Sequence, residues 1–282
     1  MSPCLCESIS CNSYLPPVTD YLSQLEADAI YAIREAACRC RHPGVLWSCG
    51  KDSTALLWLC RKAFLGSIPF PVVHIDTSYK FDEIYQFRDR LADEWQLDLH
   101  VIKNADALAQ GMGPTANDPL QCCQALKTDA LKQALDQLQL DAALVGIRRD
   151  EHGIRAKERR FSQRRDDFSW PVGRQPPELW EFYTTCDPSG HLRIHPLLDM
   201  LEVDVWRYTQ REDLPVCPLY FADDGKRYRS IGCQPCCCTV DSDASTIDQV
   251  IAELQQDAGG ERAGRSQDKE GRMQKLRALG YM

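Results

Sequence analysis

No apolar run in the 282-residue sequence approaches the ~18–20 residues needed to cross a membrane. The opening Met1-Ser2-Pro3-Cys4-Leu5-Cys6 also lacks the basic-then-apolar order of a secretory signal. These two absences lead us to expect a cytoplasmic chain with no membrane part. Positive charge is scarce as well. With 33 Lys+Arg against 41 Asp+Glu, the formal net charge of -8 excludes a general basic coat for nucleic acid and leaves room only for local patches. There is no internal repeat and no Walker A spacing, G-x-x-x-x-G-K-[ST]. What the sequence has in excess is cysteine, 15 in all. An odd count on a chain expected to be leaderless makes a poor disulfide framework. Thiols kept reduced more often serve metals or sulfur chemistry.

Apolar patterning divides the chain into three parts. Residues 1–17 carry Cys, Ser and Pro without periodicity and read as an irregular arm. From 18 to 220, strands alternate with helices. Thr19 could cap a first helix, with Leu22, Leu25, Ala29, Ile30 and Ile33 at helical spacing. Strands follow at 45–47, 72–75, 97–102 and 142–147, and helices at 53–64, 82–94 and 125–138. This alternation predicts an α/β domain with a doubly wound, mostly parallel sheet, and ligands at the carboxyl ends of the strands. Residues 148–190 show little regular structure, 192–196 and 202–211 restore it, and 221–240 read as a Gly/Cys loop. A short helix at 247–254 and a polar basic tail complete 221–282, an extension expected to fold over the active edge.

Between the first strand and its helix stands Ser48-Cys49-Gly50-Lys51-Asp52-Ser53. Glycine permits a tight turn, the helix start offers unpaired N–H groups, and Lys51 adds a point charge, which together suit a di- or triphosphate. This loop resembles the S-x-G-K-D-S signature of PP-loop ATP pyrophosphatases, enzymes of the adenine nucleotide alpha hydrolase-like fold that cleave ATP between its α and β phosphates. His74-Ile75-Asp76-Thr77 with Phe81 and Phe87-Arg88-Asp89 resembles a second segment of the sulfate-activation branch, which includes PAPS reductases and the sulfate adenylyltransferase small subunit. Gly146-Ile147-Arg148-Arg149-Asp150-Glu151 with Arg155-Ala156-Lys157-Glu158-Arg159 resembles its arginine-rich segment. Pro196-Leu197, Asp204-Val205-Trp206 and Tyr208, and the tail elements Glu261-Arg262, Gly264-Arg265 and Gly280-Tyr281, look like that small subunit.

The resemblance implies that Ser48, Gly50, Lys51, Asp52, Ser53 and Gly146 bind ATP, with Mg²⁺ on its phosphates. Asp76 would lie near the adenosine, although a lone Asp could equally cap a turn. Lys51, Arg148, Arg149 and Arg155, with Lys157 and Arg159, would carry the catalytic charge. Residues 147–174 hold eight Arg and one Lys against five acids, a basic strip in an acidic chain.

Two cysteine pairs depart from that subunit. Gln121-Cys122-Cys123-Gln124-Ala125-Leu126-Lys127 and Ser230-Ile231-Gly232-Cys233-Gln234-Pro235-Cys236 look like the cluster elements of assimilatory adenylyl-sulfate reductases. By that resemblance Cys122, Cys123, Cys233 and Cys236 would hold a [4Fe–4S] cluster, with Zn²⁺ the rival occupant of a Cys₄ set. The reductases' nucleophilic cysteine, in a C-terminal E-C-G-L-H segment, is absent, since no cysteine follows Cys238. Cys237, Cys238, Cys49 and the arm's Cys4, Cys6 and Cys11 are candidates to carry a persulfide.

The combination leads us to expect an adenylyl-transferring, sulfurtransferase-type enzyme that activates an oxygen acceptor for sulfur incorporation. Among families with this combination, the DNA phosphorothioation enzymes (Dnd and Ssp types) are the nearest resemblance. They imply a DNA backbone phosphate as acceptor, a cysteine desulfurase as sulfur donor and a partner protein presenting the DNA. The alternative is the sulfate adenylyltransferase small subunit, which normally has a separate GTPase partner. A third reading is a nucleotide-binding iron–sulfur redox sensor or scaffold. The acceptor, the sulfur donor and association with further copies of the chain stay open at this point.

Overall fold

Short apolar runs bounded by turns can be satisfied only where both faces of a strand are covered, and the chain meets that condition with a six-stranded sheet. A computed structural model describes residues 20–171, 173, 175, 190–256, 261, 275, 276, 278 and 280. Strands β1 (Pro43–Leu46), β2 (Val72–Ile75), β3 (Leu99–Ile102), β4 (Ala142–Val145), β5 (Phe161–Arg164) and β6 (His191–Ile194) lie in the order β3-β2-β1-β4-β6-β5. All neighbours pair in parallel except β5, which runs antiparallel to β6 at one edge. β1, β2, β4 and β6 are buried at every position, while edge strand β3 is mostly half-buried.

The helices cover both faces. α1 (Tyr21–Arg39) is capped by Asp20, whose carboxylate accepts from the Ser23 N–H at 3.0 Å, and it buries Leu25, Ala29, Ile33 and Ala36. Thr19, the expected cap, lies outside the described residues. α2 (Lys51–Ala63), α3 (Asp82–Glu94) and α7 (Glu202–Arg211) share that core, and α8 (Ile247–Gln256) joins it through Val250. On the opposite face α6 (Ala130–Gln137) seats Ala130, Leu131, Ala134 and Leu135 against Leu46, Val73 and Val145. No helix among the described residues is long and apolar enough to cross a membrane.

Three local expectations are corrected. The helix expected at 125–138 is broken. α4 (Ala105–Ala109) precedes it, and α5 (Pro119–Cys123) starts earlier because Asp118 accepts from the Leu120 N–H at 2.8 Å, with Pro119 just behind the cap. A wide π-type turn over Gln124–Asp129, stitched by Gln124 Nε2 to Asp129 Oδ1 at 2.8 Å, then leads into α6. Within 148–190, β5 appears where polar side chains had hidden a strand: Arg164 is buried and paired with Glu158 at 2.8 Å. The 221–240 loop contains a hairpin of β7 (Lys226–Tyr228) and β8 (Thr239–Asp241). The 1–17 arm, with Cys4, Cys6 and Cys11, lies outside the described residues, as do Cys186 and most of the tail.

The chain winds outward from β1 to β3, then returns to the other side of β1 with β4. A crevice opens beyond the carboxyl ends of β1 and β4, the point at which such sheets bind ligands.

Candidate active site

The loop after β1 turns in an unexpected way. Its left-handed residue is Cys49, at φ 64°, while Gly50 takes an ordinary extended conformation at φ -82° as the cap of α2. Gly50 is glycine for space: a Cβ there would stand 3.1 Å from the Tyr220 hydroxyl. That hydroxyl accepts from the Lys51 N–H at 3.1 Å, and burial raises the phenol pKa and keeps it protonated. Tyr220 is itself fixed edge-on against Trp206 of α7, ring centroids 5.6 Å apart. The Asp-x-Trp segment therefore supports the loop from behind. Gly146, after β4, is the second close approach. A Cβ there would meet the Asp52 carbonyl and Ser53 Cα at 3.1 Å, so the β4 end lies against the start of α2.

Ser48, Gly50, Asp52, Ser53 and Gly146 line the cleft, and Leu46, Val73, Ile75 and Val145 give it an apolar floor. The Ser48 and Ser53 hydroxyls are 3.1 Å apart, and Ser53 Oγ donates to the Gly50 carbonyl at 3.1 Å. Lys51 is buried. Its Nζ meets Asp52 at 3.1 Å, stands 3.9 Å from Glu202 and pairs with Glu261, one of the few described tail residues. Glu261 also pairs with Arg148, which is fully buried and bound to Asp52 and to Asp150 as well. Burial works against the Arg148 guanidinium, but Glu261, Glu151 and Asp150 outweigh it and hold its pKa up.

The remaining expected residues divide. Arg155 lines the cleft and pairs with Glu151. Arg149 is directed elsewhere, against Asp199, and Lys157 is exposed. Asp76 is buried within its own network: Lys103 Nζ at 2.9 Å, the Ser78 N–H at 2.8 Å and the Tyr85 hydroxyl at 3.0 Å. Burial alone would raise its pKa, but those donors prevail and hold the carboxyl below its ordinary range. Its visible work is to hold the β2 turn, the capping reading left open from the sequence.

A second, smaller cavity adjoins the cleft. Cys122, Cys123, Cys233 and Cys236 all line it, together with Pro114, Pro119 and Leu126, and Thr77 and Lys127 belong to both cavities. The loop that carries Cys233 is tied to the β2 turn by Gln234 N–H to the Tyr79 carbonyl at 2.7 Å and by Thr77 Oγ1 to Cys233 Sγ at 3.2 Å. Burial is the first cause that pushes the Cys122 thiol up to about 11, and it also raises Cys236. Such thiols stay protonated unless a metal or cation draws the proton off. Among the described residues no three Cys, His, Asp or Glu side chains are gathered closely enough to hold a single metal ion, so the four thiols ring a cavity rather than a point. Of the persulfide candidates, Cys49 is buried and its thiol strongly raised, Cys237 Sγ accepts from the Gly232 N–H at 2.9 Å, and Cys238 is exposed.

Sequence reasoning missed Lys80, Tyr220, Glu202 and the cleft position of Glu261. Only Glu261 carried a signal, as part of a tail motif. The others act through neighbours that the fold brings together from distant segments.

A family model described as the phosphoadenosine phosphosulfate reductase domain matches residues 42–239. Three relatives, each matched over nearly all of its length, bear the name sulfate adenylyltransferase subunit 2. That of Rhizobium meliloti (strain 1021) is 40% identical over 94% of this chain and 94% of its own. That of Nocardia farcinica (strain IFM 10152) is 41% identical over 94% and 97%, and that of Pseudomonas paraeruginosa (strain DSM 24068 / PA7) is 39% identical over 93% and 98%. In fold, the chain resembles phosphoadenylyl-sulfate reductase from Candida auris (TM-score 0.53, 17% identity, 77% of this chain and 96% of that one). It also resembles Candida glabrata FMN adenylyltransferase (TM-score 0.51, 16% identity, 75% and 61%).

These relatives correct two expectations. DNA phosphorothioation, with a cysteine desulfurase and a DNA-presenting partner, gives way to the sulfate adenylyltransferase alternative, because the likeness to subunit 2 runs through 93–94% of the chain. The loop and arginine chemistry serves ATP cleavage with any oxygen acceptor, so it could not choose between the two. An adenylyl-transferring enzyme using ATP replaces the scaffold reading. The mostly parallel sheet with its switch-point cleft, the match over 42–239 and these relatives together place the chain in the phosphoadenosine phosphosulfate reductase domain family.

Proposed function

We propose that the chain is the small, catalytic subunit of a sulfate adenylyltransferase, converting ATP and sulfate to adenylyl sulfate and pyrophosphate. The observation that carries this reading is the likeness of about 40% to subunit 2 proteins over 94% of the chain. Sulfate is a weak nucleophile, so the site must act chiefly by orientation and by stabilising the departing charge. A sulfate oxygen attacks the α-phosphorus, the bond from that phosphorus to the α,β-bridging oxygen breaks, and pyrophosphate leaves with the electron pair. Lys51 and the N–H groups at the start of α2 take the β and γ phosphates, Arg155 meets charge on the reacting phosphorus, and the apolar floor accepts the adenine. Asp52 is the loop carboxylate that would hold Mg²⁺ arriving with the nucleotide, and the ion would supply neutralising charge to the polyphosphate.

By resemblance to the small subunit, a separate larger GTPase subunit is the expected partner. The test is sulfate-dependent exchange of labelled pyrophosphate into ATP, with the chain alone and with that subunit. Exchange that ignores sulfate, or none in either case, overturns the reading.

We further propose that Cys122, Cys123, Cys233 and Cys236 bind a [4Fe–4S] cluster, with Zn²⁺ as the competing occupant. Four cysteines around one apolar cavity support this, since thiolate sets of that number ligate such clusters. A bound cluster would cross-link α5 to the 233–236 loop beside the cleft. Anaerobic purification with iron, sulfide and zinc analysis decides the occupant.

A further inference from the structure

The hydroxyl of Tyr220 reaches the start of α2 from a distant part of the chain. Tyr220 is 2% exposed, and it lines the cleft beside Ser48, Gly50 and Ser53. Its oxygen accepts from the Lys51 N–H, the first of the unpaired donors of α2, at 3.1 Å. Among the described residues nothing accepts the hydroxyl's own proton. A buried hydroxyl that spends only a lone pair keeps an unused donor, which costs free energy until a ligand takes it up.

The surroundings fix this group and keep it neutral. The ring stands edge-on to Trp206 and lies under the Lys51 ammonium, 5.8 Å from the ring centroid. The turn that carries it is closed by the Tyr220 N–H to the Cys217 carbonyl at 3.2 Å. Lys51 pulls the phenol pKa down while Glu261 and Cys217 push it up, and burial outweighs them all, so the proton stays on. Lys51, Arg148 and Arg155 are each paired with a carboxylate that a phosphate must displace. A phenol donates with no counter-ion to be displaced. Gly50 completes the arrangement, since a Cβ there would crowd the hydroxyl at 3.1 Å.

We propose that Tyr220 is a phosphate-binding residue of the cleft: its oxygen accepts from the Lys51 N–H, and its proton is donated to an oxygen of the β or γ phosphate. The first N–H of α2 thus reaches the polyphosphate through the phenol rather than directly, and two hydrogen bonds running in one direction strengthen each other. Gly50 is then glycine for the tyrosine and not for the nucleotide. Trp206, by holding the ring, sets where the donor stands. The inference rests on the reading of this cleft as the ATP site of a sulfate adenylyltransferase. In that reaction the same donor meets pyrophosphate as charge builds on it.

The test titrates magnesium-ATP, magnesium pyrophosphate and AMP calorimetrically into wild type, Tyr220→Phe, Gly50→Ala and the double variant. Tyr220→Phe keeps the ring and removes only the hydroxyl. It should weaken magnesium-ATP and magnesium pyrophosphate about tenfold or more, as loss of a hydrogen bond to a charged group does, and leave AMP within about twofold. Gly50→Ala crowds the hydroxyl without touching the ring. It should weaken the same two ligands in the parent chain, yet change them less than about twofold in the Tyr220→Phe background. Unchanged or tighter magnesium-ATP binding by Tyr220→Phe would make the phenol a plug that competes with phosphate for the Lys51 N–H, and overturns the assignment. An equal loss for AMP, or a Gly50→Ala loss of the same size in both backgrounds, overturns it too. Sulfate-dependent pyrophosphate exchange by the wild type with its larger subunit is measured alongside. Its absence overturns the enzyme reading while the titrations still decide Tyr220, and a wild type that binds no magnesium-ATP overturns both.

Discussion

Glu261 presents a carboxylate to Lys51 and Arg148, the two cations that, on the proposed reading, meet a nucleotide's phosphates. Binding of ATP must therefore break both pairs, and the free energy of that exchange is subtracted from the observed affinity. A hydrogen bond to a charged group contributes about 1.5–3 kcal/mol. Glu261→Gln keeps the shape and the neutral hydrogen bonds but removes the charge, so about 1–2 kcal/mol of competition should disappear. At 1.4 kcal/mol per factor of ten, magnesium-ATP should bind about 5- to 30-fold more tightly. Asp52 and Glu202 remain beside Lys51, which prevents an unbalanced buried cation in the variant. Calorimetric titration of magnesium-ATP into wild type and Glu261→Gln measures the change directly. Unchanged or weaker binding would refute the competition and make Glu261 a partner of the bound nucleotide.

Other outcomes follow from the same geometry. Lys51→Met should lower pyrophosphate release by a factor on the order of 100 or more, measured at saturating ATP. Gly146→Ala presses a methyl group against the Asp52 carbonyl and Ser53 Cα at 3.1 Å, and overpacking of this kind costs about 1–3 kcal/mol in urea unfolding. Cys122→Ser or Cys236→Ser should abolish iron incorporation on anaerobic reconstitution, while Cys38→Ser, at an exposed position, should not. Stability should fall below pH 6.5. Burial holds His74 and His195 down to about 3 and His191 well below its ordinary value, whereas the unfolded chain takes up these protons near 6.5. The contribution of these neutral histidines is complete above pH 6.5 and is lost as pH falls towards 3, at up to about 2 kcal/mol each between pH 7 and 5. A urea midpoint that does not drop between pH 7 and 5 would contradict the burial of these rings.

The sheet was legible because Val72, Val73 and Ile75, or Ala142 to Val145, are apolar without interruption, the mark of strands covered on both faces. β5 was not, because a strand whose buried arginine is matched by Glu158 has no apolar period to detect. The phosphate loop was legible because its residues are contiguous. Its handedness was not, since nothing in Ser48-Cys49-Gly50 says that Cys49 turns left while Gly50 makes room for Tyr220. The arginine segment shows the clearest limit. Sequence spacing groups Arg148, Arg149 and Arg155, but the chain turns between them, and the carboxylates that neutralise them come from residues 52, 150, 151, 199 and 261. What reads as positive charge at Arg148, Arg149 and Arg155 is a set of closed pairs in space.

The wide turn over Gln124–Asp129 has an implication for inheritance. Deleting one of its residues would restore the ordinary helical period and swing Pro119–Cys123 by about 100° relative to α6. α6 would keep its seat, held by Ala130, Leu131, Ala134 and Leu135, and the loop at Lys51 would be untouched. Cys122 and Cys123, however, would leave their shared cavity. A single-codon deletion could thus strip a lineage of its thiol chamber while sparing its nucleotide cleft, which makes that chamber separable from the frame that carries it.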